Sequence, residues 1–522
     1  MIERRRDSSS SHVKVTAGAL VMCAAVVAPM VFCNHAVRAS GATVKSPIPI
    51  GYSTTRITGP LGSDGLVDYI AAFNQRFGKG VTSQNNAAVP VLILFRPKSF
   101  EGGWNEIVSG KSVFVRDKNW GHQLRKALGI SADELTGPHF IHYQEFRKRA
   151  DPMAIARISG PGAPPKSPSY IPGSLYTKPW SARSAPWVAA WLQANEGALD
   201  LAQAAFLRSR FFVPMRSPST HAAMMTAYNS VVSPLGMFQS LSEYLSLRAM
   251  LKLHRGNLKS CEANLLAAHR CGTLISQDHS LLTSMVGWAT NTMPSLADIS
   301  LANSGKLSAR QDLAYIRSLN NIPQRVPLSS DFNTTERWMF LSMIEFVAIN
   351  NHSNGLLIPG WKKAWSRVAN VQAMVKFNHF QDQIVAAFKV RPFSARMIAI
   401  RKVQSTLLTK YGDLLGSYLK LTLQALPNTI GNEADSIALS RMDHVSFALA
   451  AYLKRRGTFP AHLSQLAPKY LPTIPLDPFT EKPFTYTSNP TGCTITSPGK
   501  FTPGKLNMRF FGRPVIVRLN MR

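Results

Sequence analysis

The sequence predicts a mainly α-helical protein, built from helical hairpins or a bundle and followed by a small α+β domain. From Trp187 to about residue 425, apolar residues recur at helical spacing almost without a break. A last helix, predicted from about Asn432 to Arg456, leads into prolines and strand-forming residues. With 522 residues and 45% hydrophobic content, the chain can bury a sizeable core over about two to four domains.

Residues 1–40 are predicted to be a signal peptide or a membrane anchor. Basic residues at positions 4–6 and 14 precede an uncharged, largely apolar run over residues 15–32, and a small residue follows at Ala39. These features form a secretory signal, but the run also nearly spans a bilayer core, so both alternatives stay open. In either case the body crosses the membrane. We therefore expect a cell-envelope protein that is anchored in the inner membrane with a periplasmic body, or exported after cleavage behind Ala39.

Residues 41–157 are predicted to form an N-terminal helical region. A Gly-, Ser-, Thr- and Pro-rich spacer extends to about residue 65. A helix should follow and end at Gly78 and Gly80, because apolar residues then recur at helical spacing: Leu66, Val67, Ile70, Phe73 and Phe77. The run at 86–95 fits a strand or a buried helix equally well. Ser131 and Glu134 indicate a capping box, and residues 139–156 indicate another helix.

Residues 158–186 contain seven prolines and predict a linker, and residues 187–428 predict a domain of helical hairpins. Helix starts are expected at Ser240–Glu243 and at Asn333 with Glu336. One spacing of small, large and turn residues occurs twice: Ala190, Gly197, Ala202, Phe206 and Ser209, then Ala249, Gly256, Cys261, Leu265 and Ala268. Tetratricopeptide helix pairs pack in this way, although their repeat is 34 residues long. A tetratricopeptide-like stack and an ordinary antiparallel bundle both remain open.

Residues 429–522 resemble the soluble head of a type II secretion pseudopilin. That family has a long helix, a Gly-x-aromatic-Pro turn, a Pro-x-Asp-Pro turn and a Pro-x-x-Tyr strand. The matching residues are Gly457, Phe459, Pro460, Leu463, Leu466, Leu471, Pro472, Pro475, Asp477, Pro478, Pro483 and Tyr486. The chain departs from the family at Glu481, where glycine is usual, and no carboxylate follows to hold the family's calcium ion. The resemblance implies a small sheet packed on a helix, but neither calcium binding nor polymerisation.

The whole chain also resembles uncharacterised envelope proteins of planctomycete-type bacteria with one N-terminal anchor. The segments that carry this resemblance are GLVDYIAAFNQRFGKGVTSQNNAAVPVLILFRP, PWVAAWLQANEGALDLAQAA and LRAMLKLHRGNLKSCEANLLAAHRC. It implies no activity. It does favour a helix over a strand for residues 86–95.

The net charge of +31 and the isoelectric point near 10.3 suggest an anionic neighbour. The basic residues are spread along the chain, and neither zinc-finger spacing nor an aromatic RNA-binding signature is present. Nucleic acid is therefore an unlikely partner, and we expect envelope proteins or an anionic lipid or polymer surface instead. Cys261, Cys271 and Cys493 are too few and too far apart for a disulfide scaffold, and we expect them to be small buried side chains.

No motif predicts a catalytic, cofactor-binding or metal-binding residue, and no cofactor is expected. Gly110-Lys111-Ser112 resembles the end of a phosphate loop, but Asn105 replaces its first glycine. His139, His142 and Glu145 would share one helix face, so a metal site is conceivable, although a surface cluster is the simpler interpretation. His254, His269 and Cys271 match no ligand spacing. A catalytic triad scattered across the fold would leave no such signature.

Three functional hypotheses follow. The first is a non-catalytic envelope protein that mediates protein–protein interaction through its helical surface. The second is an enzyme that acts on an anionic envelope polymer, which clustered buried carboxylates or histidines in a cleft would favour. The third is a secretion-system component, which a hydrophobic edge or groove on residues 432–522 would favour.

Overall fold

The computed structural model describes residues 48–95, 102–108, 111–117, 119–131, 133–153, 155, 170–216, 224–232, 234–349, 371–410, 414–499 and 515–520. The fold is mainly helical with a small antiparallel sheet at the C-terminus, as the sequence predicts. Its helices are α1 (Tyr69–Gly78), α2 (Ala88–Leu94), α3 (Trp120–Leu128), α4 (Tyr143–Arg149), α5 (Pro186–Ala194), α6 (Glu196–Ala205), α7 (Met224–Val232), α8 (Leu235–His254), α9 (Leu258–Ile275), α10 (Leu281–Thr290), α11 (Thr292–Asn303), α12 (Ala309–Asn320), α13 (Leu328–Asn333), α14 (Thr335–Ile349), α15 (Val371–Lys389), α16 (Phe393–Lys410) and α17 (Leu414–Arg456). The strands are β1 (Gly102–Val108), β2 (Lys111–Asp117), β3 (Thr485–Asn489), β4 (Gly492–Ser497) and β5 (Val515–Asn520).

The N-terminal region follows the predicted helices in part. The Asp68 carboxylate caps the start of α1 by accepting a hydrogen bond from the amide of Ala71. The helix ends at Gly78, and Gly80 follows in a turn with φ +73°. Residues 88–94 form the buried helix α2, which agrees with the preference for a helix in the 86–95 run. The capping box of Ser131 and Glu134 is present, on a short 3-10 helix.

An antiparallel hairpin of β1 and β2 follows α2, and no pattern in the sequence predicted it. Lys111 and Ser112 lie in β2, opposite Val108 and Ile107. A phosphate loop leads from a strand into a helix, so this geometry differs from the one that nucleotide binding requires.

The predicted helix over residues 139–156 was wrong at its start. Helix α4 begins at Tyr143, and His142 before it is extended at φ −63°, ψ 144°. Tertiary contacts satisfy the preceding backbone: the Ile141 amide donates to the side chain of Asn195, and the Ile141 carbonyl accepts from the Trp191 indole. These bonds replace the intrahelical ones, which is why helical spacing misled the prediction.

Both predicted helix starts in the central region were wrong. Helix α8 begins at Leu235, behind Pro234, so Ser240–Glu243 lie within the helix. Asn333 ends α13, and the Glu336 carboxylate accepts from the distant amide of Leu281 rather than closing a capping box. In the first case the helix begins earlier, after Pro234. In the second, a tertiary hydrogen bond from Leu281 engages the Glu336 carboxylate that the capping box would need.

Helical hairpins dominate the central region, as predicted. The pair α8–α9 turns at Gly256, which has φ +77°, and the shorter pair α5–α6 packs beside it. The segment before α5 contributes Trp180, which is buried and donates to the Leu247 carbonyl of α8 at 3.1 Å. One continuous hydrophobic core extends from Ile48 to Leu519. The domain boundaries and the tetratricopeptide-like repeat stay predictions.

The C-terminal part consists of the 43-residue helix α17 and the sheet β3-β4-β5. Strand β5 packs against α11 and α17, which places the sheet on the helical body. Helix α17 starts well before the predicted Asn432 and continues through Pro427, so the predicted boundary at 428/429 falls inside it. Cys261, Cys271 and Cys493 are buried and unbridged, as expected.

Across the described part of the chain, no helix is both long and apolar enough to cross a membrane. The apolar run of residues 15–32 lies outside the described residues.

Helices α9 and α10 approach so closely that two glycines face each other. A Cβ added at Gly272 would lie 2.6 Å from the Gly287 carbonyl oxygen and 2.4 Å from the Asn291 side chain, and one added at Gly287 would meet the Gly272 carbonyl at 2.4 Å. At each position the clashing atoms include a backbone carbonyl oxygen, which cannot rotate away as a side chain could. This crossing positions Asn291 and the middle of α9.

We expect Gly272→Ala to lower the free energy of unfolding by about 1–3 kcal/mol, because the added methyl group forces the two backbones apart. Thermal unfolding followed by circular dichroism measures the effect. Gly431→Ala is the control, since a Cβ there meets nothing within 4 Å and the helix interior should gain about 0.5–1 kcal/mol. An unchanged melting temperature for Gly272→Ala would show that the crossing is looser than described.

Candidate functional site

The main polar cleft lies between one face of α17, the helical body and the turn that follows it at 473–481. It has a volume of about 1350 Å³. Helix α17 lines it at helical spacing, and the residues that do so are mostly polar: Glu433, Ser436, Ile437, Ser440, Arg441, Asp443 and His444. The opposite side of α17 is apolar and buried, at Leu426, Ile430, Ala434, Ala438, Met442, Val445 and Leu449. The cleft is larger than the ~300–1,000 Å³ of a typical small-molecule pocket, so it can hold an extended ligand.

A buried cluster of ionisable side chains lies at the wall of this cleft, where α9, α11 and α17 meet. It consists of His269 from α9, Asp298 from α11 and Asp443 from α17. His269 Nε2 lies 2.8 Å from Asp298 Oδ2, and Tyr315 of α12 donates its hydroxyl to Asp298 Oδ1 at 2.6 Å. His269 and Asp443 line the cleft, so the cluster is buried but adjacent to the space a ligand would occupy.

Asp443 is the unusual member of the cluster. Its side chain is 1% exposed, and its Oδ1 has no hydrogen-bond partner among the described residues. Burial, reinforced by the negative charge of Asp298, raises the pKa of Asp443 well above its ordinary value, against a hydrogen bond from Ser295. A buried carboxyl oxygen without a partner costs about 1–3 kcal/mol, so a fold that retains one at a cleft marks a functional candidate.

A chain of polar contacts joins this cluster to the basic side of the cleft. The Asn291 amide, oriented so that both of its polar atoms are satisfied, donates to the His269 carbonyl at 3.0 Å and accepts from Arg325 Nη2 at 2.7 Å. Arg325 Nη1 donates to the Ser436 hydroxyl at 2.7 Å. Burial lowers the pKa of Arg325 to about 10 while Glu433 opposes the shift, so the guanidinium remains charged.

Basic side chains outnumber acidic ones along the cleft. Arg325, Lys389, Arg391, Arg396 and Arg441 line it, against Glu433, Asp443, Asp477 and Glu481. Two of the acids are already engaged: Glu433 pairs with Arg396 at 2.7 Å, and Glu481 accepts from the amide of Ser394.

Arg391 and Arg441 are the cations best placed to meet a ligand. Arg391 is exposed, and Arg441 donates to the Leu476 carbonyl at 2.5 Å. Burial and then the charge of Arg391 lower the pKa of Arg441, which indicates that the two guanidinium groups repel each other across the cleft. An anion between them would relieve that repulsion.

A second cavity of about 750 Å³ lies beside α1 and α3. Among the described residues that line it, the charged ones are Lys126 and Arg216, and none is an acid or a histidine. It therefore offers no acid–base pair and is the weaker candidate site.

The histidines noted in the sequence have separate positions. His142 precedes α4 and packs against Phe95 and Phe140, so His139, His142 and Glu145 do not share a helix face as the metal hypothesis required. Glu145 instead pairs with Arg149 at 3.0 Å. His269 is the one that the fold brings into a functional cluster, together with two aspartates that the sequence did not single out.

Comparison of the chain with protein-family models, with curated proteins and with solved structures finds no match in any of the three. The chemistry of the cleft therefore follows from its own geometry.

Buried carboxyl groups are frequent elsewhere in this fold, and burial raises their pKa values. The pKa is raised to about 6 for Asp312, to about 7 for Glu243 and Glu336, and to about 8 for Glu345 and Asp435. Unfolded carboxyl groups titrate near pH 4. Between about pH 4 and 8 the folded protein thus holds more protons than the unfolded chain, so its stability decreases as pH rises.

We expect the melting temperature to fall from pH 5 to pH 8, as measured by scanning calorimetry. Glu336→Gln should flatten that slope, because a shift from about 4.5 to about 7 is worth up to roughly 3 kcal/mol, and Gln keeps an oxygen for the Leu281 amide. The exposed Gln324→Ala changes no titratable group, so it serves as the control and should leave the slope unchanged. The lowered pKa of His279, about 4, acts in the opposite direction, but only below about pH 6.5. A melting temperature that rises towards pH 8 would contradict the assignment.

Proposed function

We propose that the protein binds an anionic polymer of the cell envelope in the cleft beside α17, and that it acts on this polymer as an enzyme. The observation that carries the proposal is the combination, in one cleft, of unbalanced guanidinium groups and a buried His–Asp–Asp cluster. The basic side supplies charge-assisted hydrogen bonds to phosphate or carboxylate groups. The cluster supplies a histidine and two carboxyl groups at the cleft wall, and enzymes use such side chains for proton transfer or to hold a catalytic metal ion.

The rest of the chain supports an anionic partner outside the cytoplasm. The net charge of +31 raises the local concentration of polyanions at the surface. The basic front and the apolar run of residues 15–32 support export or anchoring, which places the body among envelope polymers. The volume of the cleft suits a segment of a chain better than a single small molecule.

The two other hypotheses from the sequence have less support. A hydrophobic edge or groove on residues 432–522 would favour a secretion-system component, but the described edge strand β3 carries mostly exposed Thr, Ser and Asn side chains. An interaction protein without chemistry of its own would not need buried carboxyl groups at the wall of a cleft. Buried carboxyl groups also occur away from the cleft, so it is their grouping with His269 beside basic side chains that favours a chemical role.

The test compares two variants that remove the same charge. We expect the full chain in detergent to bind polyphosphate and polygalacturonate, but not neutral dextran, in isothermal titration calorimetry. Arg391→Gln with Arg441→Gln should weaken binding by roughly 10-fold or more, because about 1.5 kcal/mol is lost with each charged hydrogen bond. Arg401→Gln with Lys402→Gln removes two exposed charges of α16 outside the cleft and should have a small effect.

Each outcome is decisive for the location of binding. Equal losses in the two double variants would show that the polymer binds to the general surface charge and would overturn the cleft. If neither polyanion binds, the proposal is wrong, and the hypothesis of a non-catalytic interaction protein is favoured instead.

A further inference from the structure

We propose that His269, Asp298 and Asp443 form a binding site for a divalent transition-metal cation such as Zn²⁺ or Mn²⁺. This inference goes beyond the binding of an anionic polymer and does not depend on it, because the cation can be measured in the absence of any polymer.

The donor atoms are close enough to share one ion. One ligand atom from each residue lies within 4.8 Å of the other two, and His269 Nε2 is 2.8 Å from Asp298 Oδ2. Ligand bonds of about 2.0–2.2 Å in a tetrahedral site imply ligand atoms about 3.4 Å apart. Small rotations of the two carboxylates therefore suffice to enclose a cation.

An independent observation points to a missing positive charge. Asp443 Oδ1 is buried and has no partner among the described residues, and it belongs to the same cluster as the Asp298 carboxylate. Two other basic side chains that line this part of the cleft engage other atoms: Arg325 contacts Asn291 and Ser436, and His444 contacts Ser440 and Asn320. A divalent cation would give the buried Asp443 oxygen a partner and would offset the negative charge of the carboxylates that bind it.

The second layer of contacts holds the ligands in place. The Tyr315 hydroxyl bonds to Asp298 Oδ1 and leaves Oδ2 directed at His269. The Ser295 hydroxyl bonds to Asp443 and fixes that carboxylate from α11. Such outer contacts orient metal ligands and account for much of the affinity of natural sites.

The position at the cleft leaves room for a further ligand. Three protein ligands do not fill the coordination sphere of Zn²⁺ or Mn²⁺, and His269 and Asp443 both face the cleft. An imidazole nitrogen with two carboxylate oxygens favours these cations over Mg²⁺ and Ca²⁺, which prefer oxygen alone.

The test uses the full chain in detergent, stripped with a chelator and titrated with zinc chloride, manganese chloride or magnesium chloride by calorimetry at pH 7. We expect one saturable site per chain for Zn²⁺ or Mn²⁺ and weaker binding of Mg²⁺. Zn²⁺ should also raise the melting temperature by mass action.

Variants then locate the site. Asp443→Asn should abolish Zn²⁺ binding without lowering the melting temperature of the metal-free protein, since Asn keeps the shape of the side chain but lacks the carboxylate that binds the ion. Tyr315→Phe should weaken binding by about 10- to 100-fold through the second layer. Asp435→Asn is the matched control: it lies on α17, has a buried unpartnered oxygen of its own, and should bind Zn²⁺ as the wild type does.

Two results would overturn the inference. One is the absence of saturable binding of both transition metals to the wild type. The other is unchanged affinity in Asp443→Asn or, should that variant not fold, in Tyr315→Phe. Neither result bears on polymer binding at Arg391 and Arg441, so the two proposals fail separately.

Discussion

A helix that is packed on several sides must satisfy every charged side chain it carries, and this constraint on α17 shapes the structure around it. Its apolar stripe packs against α10, α11, α12 and α16, while its polar side faces the cleft. Glu433 reaches Arg396, and Arg441 reaches the backbone at Leu476. Asp443 alone, of the charged groups that α17 brings to the cleft, retains a buried oxygen without a described partner.

The fold class was predictable because helical periodicity is local. Apolar residues at 3.6-residue spacing identify helices whatever they pack against, and Gly80 ends α1 in the expected way. Errors arose where distant contacts replaced local ones. The backbone before α4 is extended because Trp191 and Asn195 satisfy it, and Glu336 binds the Leu281 amide instead of its own helix start. The sequence pattern alone does not contain these partners.

The candidate site was not predictable for the same reason. Its ligand-type residues lie 29 and 145 positions apart on three helices, so no spacing rule connects them. The available signal was indirect: Asp298 interrupts a run of apolar or small residues, Asp443 follows the buried Met442 on α17, and His269 lies on the buried side of α9. Each of them could have been noticed as a polar residue at a core position of an amphipathic helix. Their proximity in the folded protein could not have been predicted. The crossing of α9 and α10 at Gly272 and Gly287, which sets the position of Asn291, was equally invisible.

A strained backbone position at Glu481 links the tail to the helical body. Glu481 adopts φ +60°, a conformation that disfavours residues with a Cβ by roughly 1–2 kcal/mol. Its carboxylate compensates by accepting from both the amide and the hydroxyl of Ser394 at the start of α16. A glycine would remove the strain but also this link between the tail and the helical body. Since both α16 and the 473–481 turn line the cleft, Glu481 holds its two walls together.

The overall positive charge of the chain favours the binding of anions, as the basic residues of the cleft do. The chain has 59 basic and 28 acidic residues, and several of its few acids are buried, where burial raises their pKa values and favours the neutral form: Asp278, Asp331, Glu336, Asp435 and Asp443. The surface is therefore more basic than the composition alone suggests, and a polyanion is drawn towards it. Within the cleft that field acts on Arg391 and Arg441, which repel each other until an anion separates them. The same protein thus favours negative charge in its cleft and, at the cleft wall, retains a buried Asp443 oxygen that a cation or a proton would stabilise.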